Sequence, residues 1–121
     1  NDFVRNAFNK SNIIIKSHGL FKRDFIYIDD LSNNILRTFR GIKGYKIINI
    51  GSFKVTSVLK IAQKVKEVGE KYLNRKINIQ ILGKKDNNKH YLKFNSNLKF
   101  TFKSRKYESG ILKIFKYLES K

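Results

Sequence analysis

Apolar residues recur along the chain in two rhythms, one near 3.6 and one near 2, and the switches between them mark out the elements. Phe3, Val4, Ala7 and Phe8 keep helical spacing until the polar residues 9–12 break it, so the chain opens inside a helix. Ile13-Ile14-Ile15 reads as a short strand stopped by the turn-forming His18-Gly19. Residues 25–28, Phe-Ile-Tyr-Ile, read as a second strand, and Asp29 or Asp30 is placed to cap a helix whose stripe is Leu31, Ile35, Leu36 and Phe39. That helix ends near Gly41 and Gly44.

Residues 45–50 carry the strongest strand pattern, with Ile47, Ile48 and Ile50 apolar and Gly51 closing the run. After a loop, Thr56 or Ser57 caps the longest helix, in which Val58, Ile61, Ala62, Val65, Val68 and Tyr72 line one face and Lys60, Lys64, Lys66 and Lys71 lie elsewhere. Gly69 weakens its last turn by about 1 kcal/mol relative to Ala. Residues 77–82 alternate as a strand, 84–89 form a polar loop, and 91–94 are extended. Ile111, Leu112, Phe115 and Leu118 make a C-terminal amphipathic helix. Short strands alternating with three to four helices predict an α/β fold, and 121 residues without a low-complexity linker or repeat predict a single module over 1–121.

Composition changes this picture mainly by exclusion. With no Cys and only two His, the chain has no disulfide framework, thiolate zinc site, cysteine nucleophile or paired-His metal motif. The longest unbroken apolar stretch is residues 25–28, far short of the ~20 residues that cross a bilayer, and no signal peptide is evident; the expected compartment is the cytoplasm, with no membrane partner. The first residue is Asn and the sequence contains no Met, from which the expectation is a start further upstream.

The formal charge of +18 first points to a polyanion. Asn, Lys, Ile, Phe and Tyr, the residues of A/T-rich codons, make up 66 of the 121 positions, so much of that charge reads as genomic bias on a solvated surface. Basic and aromatic residues also interleave over 93–107, as in single-strand nucleic-acid binders, although a strand and loop in a Lys- and Phe-rich chain give the same text.

The most distinctive segment is 19–31. Arg23 stands just before an apolar run that leads into an acidic helix start. A guanidinium fixed there offers a fork of donors suited to a phosphate or diphosphate, and equally to an ion pair with Asp24 or another carboxylate. Asp29-Asp30 reads as a helix cap or as an acid/base pair, and His18 as an exposed turn residue without an orienting partner.

Arg23-Asp24-Phe25-Ile26-Tyr27-Ile28-Asp29-Asp30-Leu31 resembles the Arg-Asp-Phe-x-x-Val-x-Asp-Leu signature of the extended short-chain dehydrogenase/reductases, the NAD-dependent epimerases and dehydratases of nucleotide-sugars. Further likenesses follow in order. Tyr45-Lys46-Ile47-Ile48-Asn49-Ile50-Gly51-Ser52 resembles that family's Tyr-Asn-Ile-Gly strand, Ser96-Asn97-Leu98-Lys99 its Ser-Lys-Leu segment, and Glu108-Ser109-Gly110-Ile111 its Glu-x-Gly-Ile helix start. Upstream, residues 13–19 are similar to the Leu-x-Ile-x-Gly-x-Gly approach to the Arg.

The resemblance spans essentially the whole chain and implies the C-terminal, substrate-binding part of a Rossmann-type enzyme whose N-terminal domain is absent. It implies that Arg23 contacts the diphosphate of a nucleotide-sugar, that Ile14, Ile15 and Lys16 lie against its base, and that Lys84 or Lys85 takes the place of an Arg the family often carries in the loop before the Ser-Lys-Leu segment. Lys, as a point charge, cannot reproduce the bidentate contact of Arg. NAD or NADP is implied for the parent enzyme, with a homodimer among its possible states. This chain has neither the Gly-rich cofactor loop nor a credible Tyr-x-x-x-Lys pair, since the lone instance, Tyr117 with Lys121, sits on the final residue. No catalytic, cofactor-binding or metal-binding residue is therefore expected on it, and no turnover. The alternatives are a small basic nucleic-acid-binding module and a truncated remnant without function.

Overall fold

The computed structural model describes residues 2–84 and 103–121. Helix α1 (Asp2–Lys10) leads into strand β1 (Asn12–Ile15); β2 (Lys22–Asp24) precedes α2 (Ile28–Gly41); β3 (Val55–Ser57) runs into α3 (Val58–Leu73); β4 (Asn78–Ile81) and α4 (Tyr107–Glu119) follow. The architecture is mixed α/β, as expected.

Strand β1 pairs in parallel with β4, Asn12 opposite Asn78 and Ile15 opposite Ile81. With a side-chain period of 2, Ile13 and Ile15 point into the core while Ile14 faces the other way, half-buried. Helices α1 and α3 cover this small sheet and α4 packs on both of them, with Val4, Ala7, Ala62, Val65, Ile111 and Phe115 in the shared core. Strand β2 pairs antiparallel with β3, Arg23 opposite Thr56.

Local chemistry accounts for the ends. Ser57 caps α3, its hydroxyl accepting from the Lys60 amide at 3.2 Å, which settles the choice between Thr56 and Ser57. Asn74 ends α3 in the left-handed region at φ 49°. The Arg75 guanidinium donates to the Ala7 and Phe8 carbonyls at the C-terminus of α1, where a cation also meets the negative end of the helix dipole.

Several expectations are corrected. Residues 25–28 form no strand; the paired stretch lies three residues earlier, at 22–24, because that is where β3 offers a ladder. Neither Asp29 nor Asp30 caps α2, whose N-cap is Tyr27 without a side-chain bond. Residues 45–50, the strongest strand pattern, join neither sheet. Gly69 is a packing device: a Cβ there would lie 2.6 Å from Ile77 Cδ1 and 2.8 Å from Phe115 Cζ, so its bare backbone lets α3 close on α4 and β4. The expected extended run 91–94 lies outside the described residues.

Candidate functional site

Site geometry starts from Asp24. Its carboxylate accepts from the backbone amides of Ser52 at 3.1 Å and Phe53 at 2.9 Å, and from the Ser52 hydroxyl. This ties β2 to the turn after residues 45–50 and commits Asp24 away from its neighbour. Arg23 is exposed; its Nη1 donates to the Lys22 carbonyl at 3.1 Å and its guanidinium lies 5.7 Å from the Phe21 ring centroid. Among the described residues no carboxylate pairs with it. The expected ion pair with Asp24 is therefore not made.

Beside β2 opens a cavity of 440 Å³. Arg23, Arg105, Lys106 and Tyr107 are among the residues that line it, and Ile61 and Ile111 contribute to its apolar lining. The two arginines differ in kind. Arg105 donates through Nε at 2.9 Å and Nη2 at 2.7 Å to Asp30 Oδ1, its backbone amide reaches Asp30 Oδ2 at 2.7 Å, and its guanidinium lies 4.5 Å from the Tyr27 ring centroid. These bonds hold the Asp30 carboxyl below the usual carboxylate range and raise the Arg105 pKa. Asp30 is thus fixed as an anion in a structural clip, which removes the acid/base reading of Asp29-Asp30. Arg23 spends one donor on the Lys22 carbonyl and none on a carboxylate among the described residues. Nearby, burial pushes the Tyr107 phenol up, while its hydroxyl donates to the Lys54 carbonyl at 2.8 Å.

Ile14, Ile15 and Lys16 do not line the cavity. They occupy the carboxyl end of β1, where the Ile15 side chain is buried in the core and its carbonyl accepts from the Leu82 amide at 2.9 Å. Only Lys16, exposed, and Ile14, half-buried, present side chains outward. Lys84 is exposed at the end of the neighbouring strand, where Gly83 packs against the backbone of Ser17 and His18. The structure therefore brings Lys16 and Lys84 to one end of the parallel pair, the end at which open α/β sheets bind ligands. Lys85 lies outside the described residues, as do the Ser96-Lys99 likeness and most of the basic-aromatic run.

Sequence reasoning missed what joins the two regions. His18 is half-buried rather than exposed: its Nδ1 accepts from the Leu20 amide at 3.0 Å and its ring packs on Phe21 with centroids 4.3 Å apart. His18, Phe21 and Arg23 adjoin one another, the His18 and Phe21 rings tilted by 43°, between the end of β1 and the cavity that Arg23 lines. The signal was the Gly19 turn, φ 77°, which folds 17–21 back on itself.

Among the described residues, the first turns of α2 and α4 carry Asp29, Asp30 and Glu108, each paired with a cation, and the Lys60 amide at the start of α3 is taken by Ser57. Among the described residues there is no cluster of three or more His, Cys, Asp or Glu to hold a metal ion, and no helix is long and apolar enough to cross a membrane.

Comparison with known proteins gives the fold its context. No protein-family model matches the chain. An uncharacterised protein of Methanocaldococcus jannaschii is 31% identical over 84 residues, which is 69% of this chain and 24% of that relative. Among solved structures, TunA, an NAD-dependent NDP-hexosamine 5,6-dehydratase of tunicamycin biosynthesis, matches at TM-score 0.76 and 15% identity, over 98% of this chain and 39% of its own. The UDP-N-acetylglucosamine 4-epimerase of Methanobrevibacter ruminantium M1, solved with UDP-N-acetylmuramic acid, matches at TM-score 0.73 and 25% identity, over 98% and 38%. The corresponding epimerase of Bacillus cereus matches at TM-score 0.75 and 18% identity, over 99% and 39%. The chain thus has the fold of about two fifths of such enzymes.

Proposed function

We propose that the chain is the nucleotide-sugar-gripping part of an NAD-dependent epimerase or dehydratase of the extended short-chain dehydrogenase/reductase type. The observation that carries this reading is Arg23: an exposed guanidinium, free of carboxylate partners among the described residues, lining a cavity with apolar walls. Its fork of donors binds the diphosphate. The tilted His18–Phe21 ring pair lies between there and the carboxyl ends of β1 and β4, where Ile14, the Ile15 backbone and Lys16 flank the base and Lys84, or its neighbour Lys85, adds a cation. Solved relatives of this fold that act on nucleotide-sugars support the choice of substrate class.

Chemistry on the sugar is assigned elsewhere. In the reading proposed here a second domain supplies NAD, which takes up and returns a hydride, together with the Tyr/Lys pair. This chain binds and orients. Calorimetric titration with UDP-N-acetylglucosamine tests it: Arg23→Ala weakens binding at least about tenfold, equivalent to the loss of one charge-assisted hydrogen bond of about 1.4 kcal/mol or more, and the chain alone reduces no NAD. Equal binding by the variant, or NAD reduction by the chain, contradicts the reading. A nucleic-acid module would instead bind any single-stranded DNA with an affinity that falls by orders of magnitude between low and moderate salt.

A further inference from the structure

Four parts of the chain wall the 440 Å³ cavity beside β2: Phe3 of α1, Phe25 in the connection to α2, Val58 and Ile61 of α3, and Ile111 and Ile114 of α4. None of these side chains carries a polar atom. Protein interiors are close-packed, with few spaces larger than a water molecule, and this volume falls within the ~300–1,000 Å³ of small-molecule sites. Residues 104–107 also line it, and they are fastened away from α3. Arg105 is bonded to Asp30 at 2.7 Å, Asn34 Nδ2 donates to the Lys103 carbonyl at 3.0 Å, and the Tyr107 hydroxyl donates to the Lys54 carbonyl at 2.8 Å. Collapse of this wall onto α3 would break those bonds, so the cavity is built into the fold.

Charge on the lining is one-sided. Among the described lining residues Asp2 is the only acid, against Arg23, Arg105 and Lys106. Arg105 is paired with Asp30, whereas Arg23 and Lys106 are exposed and meet no carboxylate among the described residues. Apolar walls with an uncompensated guanidinium select a ligand that is apolar over most of its length and anionic at one end. The diphosphate of a nucleotide-sugar uses the guanidinium alone. Sugar hydroxyls laid against these walls would find no hydrogen-bond partner there.

We propose that this cavity binds an aliphatic anion, a single alkyl chain whose carboxylate or phosphate head pairs with Arg23 and whose tail lies against Val58, Ile61 and Ile111. To a guanidinium the two heads are one chemistry, since each offers paired oxygen acceptors to its fork of donors. The head occupies the same group that the proposed function gives to the diphosphate, so an aliphatic anion and a nucleotide-sugar exclude each other at Arg23. The cavity site itself does not depend on that function.

Calorimetric titration of the chain with hexanoate, octanoate, decanoate and decyl phosphate, each below its micelle concentration, tests the inference. Affinity is expected to rise about fourfold per added methylene from hexanoate to decanoate, as burial of each CH₂ requires. The tighter binder of decanoate and decyl phosphate identifies the head, and decylammonium does not bind. Arg23→Ala weakens decanoate binding at least about tenfold, and Ile61→Trp, which fills the cavity, abolishes it. In the unmodified chain decanoate moves the methyl resonances of Val58, Ile61 and Ile111, a readout that needs no variant to fold. Affinity independent of chain length, equal binding of decylammonium, unmoved methyl resonances, undiminished binding by Arg23→Ala, or simultaneous binding of decanoate and UDP-N-acetylglucosamine overturns the inference. Decanoate binding by a chain that does not bind the nucleotide-sugar contradicts the proposed function and leaves the cavity site standing.

Discussion

Two arginines face one cavity, and their neighbours decide what each can do. Arg105 is consumed by Asp30, whose side chain is 11% exposed, and by the Tyr27 ring; Arg23 meets only a carbonyl and a phenyl face. The clip also sets an acid limit on stability. Asp30, and Glu108 beside Lys64, have folded pKa values below their ordinary 3.8 and 4.5, so their contribution is complete above those values and is lost as pH falls through the lowered folded ones. The Lys64–Glu108 pair is more than a third exposed and screened by solvent, so Asp30 dominates. Asp30→Asn is expected to lower the melting temperature by several degrees at neutral pH and to flatten its fall below pH 3.8, read by thermal melts across the acid range; an unchanged acid profile would place the limit elsewhere. Arg23 was legible as an anion-binding candidate from its place before an apolar run. That Asp24 turns to the 52–53 amides, and that Arg105 is the partner of Asp30, was not, because pairing across 28 and 75 residues of chain leaves no local spacing to read.

At the scale of elements, patterns that bury themselves locally were readable. The 3.6-residue rhythm of α3 and the alternation of β1 correspond to what is buried. Elsewhere the pattern misleads: Ile35, Leu36 and Phe39 of α2 and Tyr45 and Ile47 are exposed, and residues 45–50 join neither sheet, so the apolar rhythm there predicts a core that the described residues do not close. Gly69 shows the converse, a residue that lowers helix propensity to permit contact. Gly69→Ala gains about 1 kcal/mol of helix propensity but forces a methyl against the Phe115 ring, which is wholly buried, and against Ile77, an overpacking cost of about 1–3 kcal/mol. The net expectation is a loss of up to about 2 kcal/mol in urea unfolding. A gain in stability would mean that α3 and α4 can separate at no cost.

For the whole molecule, charge and architecture carry different messages. The +18 surplus is spread over a Lys-rich surface, while Arg23 lines the cavity and Lys16 and Lys84 stand exposed at the carboxyl ends of β1 and β4. The same surplus disfavours self-association and makes weak polyanion binding a background against which a specific site must be judged. Site-resolved observation separates the two. Titration of the isotope-labelled chain with UDP-N-acetylglucosamine, followed by amide and guanidinium resonances, is predicted to move Arg23 and the 14–21 segment in a saturable manner while leaving the Lys60, Lys71 and Lys116 surface unmoved. Shifts spread evenly over the exposed lysines, or none at Arg23, would contradict a nucleotide-sugar grip built on that residue.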